Sequence, residues 1–548
     1  MLQPQLPGPV PADTARVARA AFPKGSLLIT LRDELGAVFS DDDFADLYPA
    51  IGQPAYPPWR LALITVLQFR EGLPDRQAAD AVRARIDWKY LLGLPLADPG
   101  FDFSVLSEFR ARLVDHGAES VLLDRVLEAC RERGLLKARG RQRTDSTHVV
   151  AAVREMNRLE LAAETVRAAL NELAGEAPDW LQRLARPEWY DRYARRVEDS
   201  RLPRSKAGRA RYADAVGADG YVLLAAVEAD EAPLGLASLP KIDALRRVWG
   251  RHYERRGTDG VRLRELRGRG LEKGDSVESP YDVDARYRRK RGTTWTGYMV
   301  HLTETCERDR PRLVIHADTT PGDVHEAART EPILAALDGR GLSASEHLAD
   351  AAYISADLLV GAEDRFGVRL VGPPRKDPSW QARTEGGYTA DRFGLDWGRE
   401  AATCPEGEES RSWQTYSDRE GSEYVVVRFA PATCRACEAR ELCVRSERGG
   451  RSLRLHPERE QQALEAMRTE LTTEAGRTAY SARAGIEGTL SQGVRAMGLR
   501  RSRYRGLSKT RLGHIATAAA LSTDRAAAWV QGQLPGRTRT SRFAALAA

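Results

Sequence analysis

The sequence predicts an α/β core with large insertions, preceded by an all-α N-terminal region. Three observations predict it. Between residues 280 and 372, short apolar segments that read as strands alternate with a helical segment, the pattern of a sheet with helices packed on it. Residues 26–135 read as mostly helical, with helix start and stop signals around apolar stretches spaced at the helical period. The length of 548 residues exceeds what one compact domain usually reaches, so either two to four domains or one core with big insertions is expected.

Composition narrows the class. Apolar residues make up 42% of the chain, enough for sizeable cores. The net charge of +6 is mild, so its distribution matters more than its sum. The basic residues are mostly Arg, whose planar fork suits phosphate. A GC-rich genome also favours Arg everywhere, so only local clusters count. No run of about 18 apolar residues occurs, and no transmembrane helix is expected. Residues 1–13 are Pro-rich and lack the charged and apolar regions of a signal peptide. Six cysteines in so long a chain do not suggest a disulfide scaffold, and a cytoplasmic protein is expected.

Taken in order, residues 1–25 read as a flexible lead-in. Within 26–135, Pro58–Phe69 forms a helix with Pro in its first turn and Gly72 at its end. A second helix is expected from Pro74 to Ile86. A third runs from Phe103 to Leu113, with Ser104 as N-cap, Val105, Leu106, Phe109 and Leu113 on one face, and Arg110 and Arg112 pointing elsewhere. A fourth spans Glu119 to Arg133 and closes at Gly134. Short helices with basic outer faces fit a helix-turn-helix DNA reader, and fit an ordinary bundle equally well.

Residues 136–380 hold the first part of the core, interrupted at about 155–275 by a charged, Trp-bearing helical insertion. There Leu159, Ala162, Ala163, Val166, Leu170 and Leu173 make one stripe. Basic runs at 201–206 and 262–269 read as solvated faces. Strands are expected at 297–305, 312–318, 345–350 and 367–372, with a helix at 324–337. Residues 381–456 read as an irregular insertion holding four of the six cysteines. Helix returns at 457–475 and 478–498, residues 457–525 complete the core, and 526–548 read as a flexible tail. No internal repeat is visible.

Three carboxylates stand in recognisable settings: Asp145 in 143–148 (RTDSTH), Asp350 in 347–353 (HLADAAY) and Glu487 in 483–488 (RAGIEG). The first two are expected at strand ends, and the third on a helix followed by arginines. Singly, Asp145 and Asp350 read more readily as turn or cap residues. Separated carboxylates brought together by a fold are what a pair of Mg²⁺ (or Mn²⁺) ions needs, because hard cations take oxygen ligands and can clamp both reacting oxygens of a phosphodiester. Tyr480, Arg483 and Glu487 recur at a spacing that puts them along one helix face. From 483 to 511 there are eight positive residues and one acid, which points to phosphate contact. Arg495, Arg500, Arg501, Arg503 and Lys509 are the further DNA-binding candidates.

Cys404, Cys434, Cys437 and Cys443 contain a C-x-x-C pair with two more thiols, which could make a structural zinc site. Their spacing is not that of a standard finger, and reduced free thiols explain them as well. Cys130 and Cys306 read as buried. His148 reads as a satisfied polar residue, and His316, Asp318 and Asp323 as a strand-end turn.

On these residues the chain resembles a bacterial insertion-sequence DDE transposase with an InsH-type N-terminal helical region. The resemblance covers about 45–525. It is carried by Asp145–His148, by 281–286 followed by 295–298, by His347–Tyr353 and by 483–509. It implies an RNase H-like core in which Asp145, Asp350 and Glu487 bind two Mg²⁺ ions. It implies double-stranded DNA partners, both terminal inverted repeats and target, recognition of the repeats by the N-terminal helices, a homodimer on DNA and a place at the nucleoid. Tyr480, Arg483 and Glu487 match a Tyr-Arg-Glu-Lys signature, whose Lys position is Val494 here with Arg495 adjacent. The 205 residues between 145 and 350, and the 137 between 350 and 487, call for insertions. The activity expected is DNA cleavage and joining of 3′-OH ends. A repressor-like derivative without catalysis and a stand-alone RNase H-like nuclease are the rivals.

Overall fold

The central strand, β1 (Arg141–Val150), is buried or half-buried along nearly all its length and is paired on both edges. The structure is a computed structural model and describes residues 1–256, 260–265, 276–290, 292–419, 421–533, 543 and 546. The basic stretch 266–269 and most of the expected tail lie outside the described residues. Strands β2 (Arg286–Lys290), β3 (Thr293–Thr305), β4 (Val314–Pro321), β5 (Glu346–Leu348) and β6 (Arg369–Val371) complete the sheet. β1 is antiparallel to β3 and parallel to β5, which is parallel to β6. The other edge of β3 is shared, its first part pairing with β2 and its second with β4. The sheet is therefore ordered β2 and β4, then β3, β1, β5 and β6.

Gly297 sits where β3 passes from one partner to the other. A side chain there would place its Cβ 2.1 Å from the Val149 carbonyl oxygen, so only glycine lets β1 approach. Pairing from Gln142 to Val150 carries β1 well past Asp145, which lies inside the strand and not at its end as the sequence suggested. The unbroken ladder with β3 is the reason.

Helix α1 (Pro58–Glu71) starts on a proline and closes on Gly72 in the left-handed region. It is buried on nearly all sides. The long C-terminal helix α4 (Leu507–Val530) packs against it, against α2 (Val121–Glu132) and across β4. α4 is rich in Ala, and these small residues, with Gly513, let it pass closely between sheet and helices. Trp59 and Phe69 of the N-terminal region, Val300 and Ile315 of the sheet, and Leu521 of α4 belong to one apolar core. The N-terminal helices are thus continuous with the sheet's core.

Several expectations need correction. The second helix breaks at Arg85, whose extended backbone separates Asp75–Ala84 from Ile86–Leu92. Ser104 is the first helical residue and Phe103 stands at the N-cap; the Ser104 N–H donates to Asp102 Oδ1 at 2.9 Å. Arg110 is buried, its guanidinium paired with Asp75 at 2.6 Å and with Gln68 at 3.1 Å. Arg112 stacks over Tyr48. Both arginines are thus committed to contacts within the bundle. Residues 381–456 are not irregular. They form a three-stranded antiparallel sheet (Ser412–Ser417, Glu423–Arg428, Ser452–Leu455) and a two-stranded one (Gly394–Asp396, Ala401–Thr403) over their own small core. Helix α4 continues to Val530, so 526–530 is helical.

The helical insertion has a separate core. Helix Arg158–Glu176 opens with a capping box between Asn157 and Glu160. It packs with helices Lys206–Val227 and Pro240–His252 around Trp189, Trp249 and Tyr253. Gly220 lets the Trp249 ring pass over the second of these helices, where an added Cβ would lie 2.1 Å from it.

Candidate active site

Four elements bring the three carboxylates to one cleft. Asp145 comes from the middle of β1, and Asp350 from the loop two residues after β5. Glu487 comes from the first turn of α3 (Gly485–Met497), and Arg483 from the 3₁₀ turn Ala482–Ala484 before it. That turn and the helix Glu474–Ser481 divide what the sequence suggested as one continuous helix. The alignment along one face nonetheless holds from Arg483 to Glu487, which pair at 2.8 Å.

The Arg483 guanidinium stands among all three acids. Its Nη2 donates to Asp145 Oδ2 at 2.6 Å and lies 3.9 Å from Asp350 Oδ2, while Nη1 meets Glu487 Oε1. The remaining Asp145 oxygen accepts from the Ser146 N–H at 2.8 Å, and Asp350 Oδ1 accepts from the Ala352 N–H at 2.9 Å. Burial pushes the Asp145 carboxyl up to about 6; Arg483 opposes the rise, and Asp350 and Glu487 add to it. Tyr480 donates to the Ala349 carbonyl at 3.1 Å and braces the Asp350 loop.

The cleft has a volume of about 580 Å³. Its cationic lining is Lys290, Arg483, Arg495 and Arg500. Arg500 Nε donates to Thr147 Oγ1 at 2.8 Å, and the segment around it pairs with the end of β1. Val494, at the Lys position of the signature, also lines the cleft. Arg501, Arg503 and Lys509 do not. Arg503 instead stacks over Phe69 and donates to the Leu73 carbonyl at 2.9 Å, tying this segment to the N-terminal helices. His148 packs against Trp295, and Asp318 pairs with Arg329 at 2.7 Å, both away from the lining.

Two residues were missed from the sequence. Lys290 reaches the cleft from the edge strand β2 and also meets Glu326 Oε1 at 2.5 Å. The basic run 286–290 was a visible signal for it. Glu304 lies fully buried on β3, directly opposite Arg143. Its carboxylate accepts from Arg143 Nε at 2.7 Å, from Arg525 Nη1 of α4 at 2.7 Å, and from Thr489 Oγ1, two residues past Glu487. Arg143 Nη1 donates in turn to the Ala482 carbonyl beside Arg483. An acid at the end of a strand candidate was its only sequence signal.

The donors around the cleft's acidic centre are all carboxylate oxygens, which suit a hard divalent cation, and a cationic side chain already sits between them. Among the described residues, no group of three or more His, Cys, Asp or Glu side chains is closed around a metal position.

Residues 403–526 match a family model described as a transposase DDE domain. Together with the carboxylate cleft, this match supports an insertion-sequence DDE transposase. A second match, to a transposase domain of the DUF772 type, covers residues 16–112 and supports the same family. The DDE match includes Tyr480, Arg483 and Glu487, and Asp145 and Asp350 precede it. No curated protein and no solved structure matches the chain. No helix of the described residues is long and apolar enough to cross a membrane.

Proposed function

We propose that this transposase binds the terminal inverted repeats of its element, cleaves the DNA there and joins the freed 3′-OH to target DNA. The convergence of Asp145, Asp350 and Glu487 on one basic cleft is the observation that carries this reading. The sheet supports an RNase H-like core: strands one to three of the β1–β3–β4 meander are antiparallel, and β5 and β6 add in parallel on the far side of β1. End recognition is assigned to the helical region 26–135, consistent with a transposase-specific domain there. Two element ends call for two copies, so a homodimer on DNA is the working assembly.

Asp145, Asp350 and Glu487 would hold Mg²⁺ or Mn²⁺. Such ions would supply an activated water or 3′-OH and charge stabilisation at the leaving oxygen. Arg483 balances the carboxylates' charge and is placed to take up a phosphate oxygen entering between them. Lys290, Arg495 and Arg500 surround the same space and would hold the strand on either side. Ser146 and Ala352 fix the orientation of two of the acids through their N–H groups.

The test is a strand-transfer assay on labelled DNA ends from the flanks of the gene, with Mg²⁺ or EDTA. Joining is expected only with metal. Asp350→Asn and Glu487→Gln should each abolish it while leaving end binding intact. Full activity in Asp350→Asn would sink the assignment. End binding without cleavage in the unmodified protein would select a DNA-binding derivative, and unselective hydrolysis without joining a nuclease.

A further inference from the structure

The small β unit between 381 and 456 contributes no side chain to the cleft, yet it gathers four cysteines. Cys404 follows the strand Ala401–Thr403, and Cys434 and Cys437 lie in and just after the helix Pro431–Ala436. Cys443 ends the short helix Arg440–Cys443. All four line one cavity of about 30 Å³. That is room for a water-sized body, since one probe sphere occupies roughly 10–15 Å³, and far too little for an organic ligand. None of the four is in a disulfide.

The backbone around them is arranged for sulfur. Cys404-Pro-Glu-Gly407 makes a tight turn: Gly407, at φ +86°, donates its N–H to the Cys404 carbonyl at 2.9 Å. The next N–H, of Glu408, is aimed at Cys404 Sγ at 3.3 Å. Cys434 Sγ accepts from the Arg451 N–H at 3.4 Å. Donors of this kind favour a thiolate over a thiol. The Arg440 and Arg451 side chains line the same cavity and offset negative charge gathered there.

The unit also has little else to hold it. Its buried apolar residues are Phe393, Ala402, Val425, Val427, Phe429, Leu453 and Leu455, a thin core beside Cys443. Units this small usually require a disulfide or a metal to stay folded.

We infer that Cys404, Cys434, Cys437 and Cys443 close on one structural Zn²⁺ that staples this β unit together. As they stand, the thiols ring the cavity from separate segments without being drawn to a common point. Binding closes the ring, each thiol releasing its proton to solvent, with no redox step. Soft sulfur ligands select zinc and reject the hard cations suited to the cleft.

The experiment is metal analysis of the purified, reduced, full-length protein. About one zinc per chain is expected, falling to about a tenth or less in Cys437→Ser and Cys443→Ser and staying at about one in Cys306→Ser, outside the unit. Should the variants fail to fold, the unmodified protein still decides: exchange into cobalt(II) should give the intense thiolate-to-cobalt absorption of a four-sulfur site. Protein that contains no zinc and gives no such band overturns the inference. So does zinc retained in full by folded Cys437→Ser or Cys443→Ser.

Discussion

Glu304 shows what one carboxylate can do behind a cleft. It has no solvent contact and is bound by Arg143, Arg525 and Thr489, which fix the strand bearing Asp145, the helix α4 and the helix bearing Glu487 to a single point. Glu304→Gln should cost about 3–5 kcal/mol, the usual loss when one partner of a buried ion pair is removed, measured as a shift in the urea midpoint. Because it holds two of the three carboxylates in register, the folded fraction should also need about tenfold more Mg²⁺ for strand transfer, as second-sphere changes typically demand. An unchanged Mg²⁺ requirement would leave Glu304 a purely structural residue. Glu326 carries a pH prediction. Burial alone would raise its carboxyl, but Lys290, backbone and Arg288 hydrogen bonds outweigh it and hold the group down at about 2. A depressed carboxyl stabilises the fold above its unfolded value of 4.5 and loses that contribution as the pH falls toward 2. Glu326→Gln should therefore be less stable by about 2–3 kcal/mol at pH 7, and the gap to the unmodified protein should shrink in unfolding curves taken between pH 4.5 and 3.

At the scale of elements, the seat of α3 is the sensitive joint. Its first residue, Gly485, lies so close to Arg143 that an added Cβ would fall 2.1 Å from Nη1. Arg143 is buried and already committed to Glu304 and Ala482, so it has little freedom to yield. Gly485→Ala should tilt α3 and reduce strand transfer at least tenfold with the protein still folded by circular dichroism, about 1.4 kcal/mol of transition-state stabilisation. Activity equal to the unmodified protein would show that Arg143 can move aside. Much of this layout was legible beforehand. Helix α1, with proline at its start and glycine at its end, and the strands of the α/β core follow local signals that tertiary packing did not override. The three carboxylates were legible from their settings, and their partner Arg483 from helical spacing. The length of β1 was not, because it depends on pairing with a strand more than 140 residues later. Nor was the burial of Arg110, whose partner Asp75 lies on another helix. The β strands among the cysteines escaped notice because they are short and separated by turns.

The whole molecule is built around α4. It touches α1, α2 and β4, and Arg70 of α1 meets Asp524 of α4 at 2.6 Å across 454 residues of chain. Residues 26–135 expressed alone should therefore lack a near-ultraviolet circular dichroism signal of fixed packing and bind a hydrophobic dye, and a peptide of residues 507–530 should restore order. A fragment that is cooperatively folded without the peptide would refute this dependence. The same arrangement has a consequence during synthesis. Ribosomes add about 5–20 residues each second, so the apolar faces of α1 wait roughly 20 to 90 s for the helix that covers them. Throughout that interval a nascent chain has its early helices and no lid for them, and it must be sheltered from aggregation by holding factors until the last helix arrives.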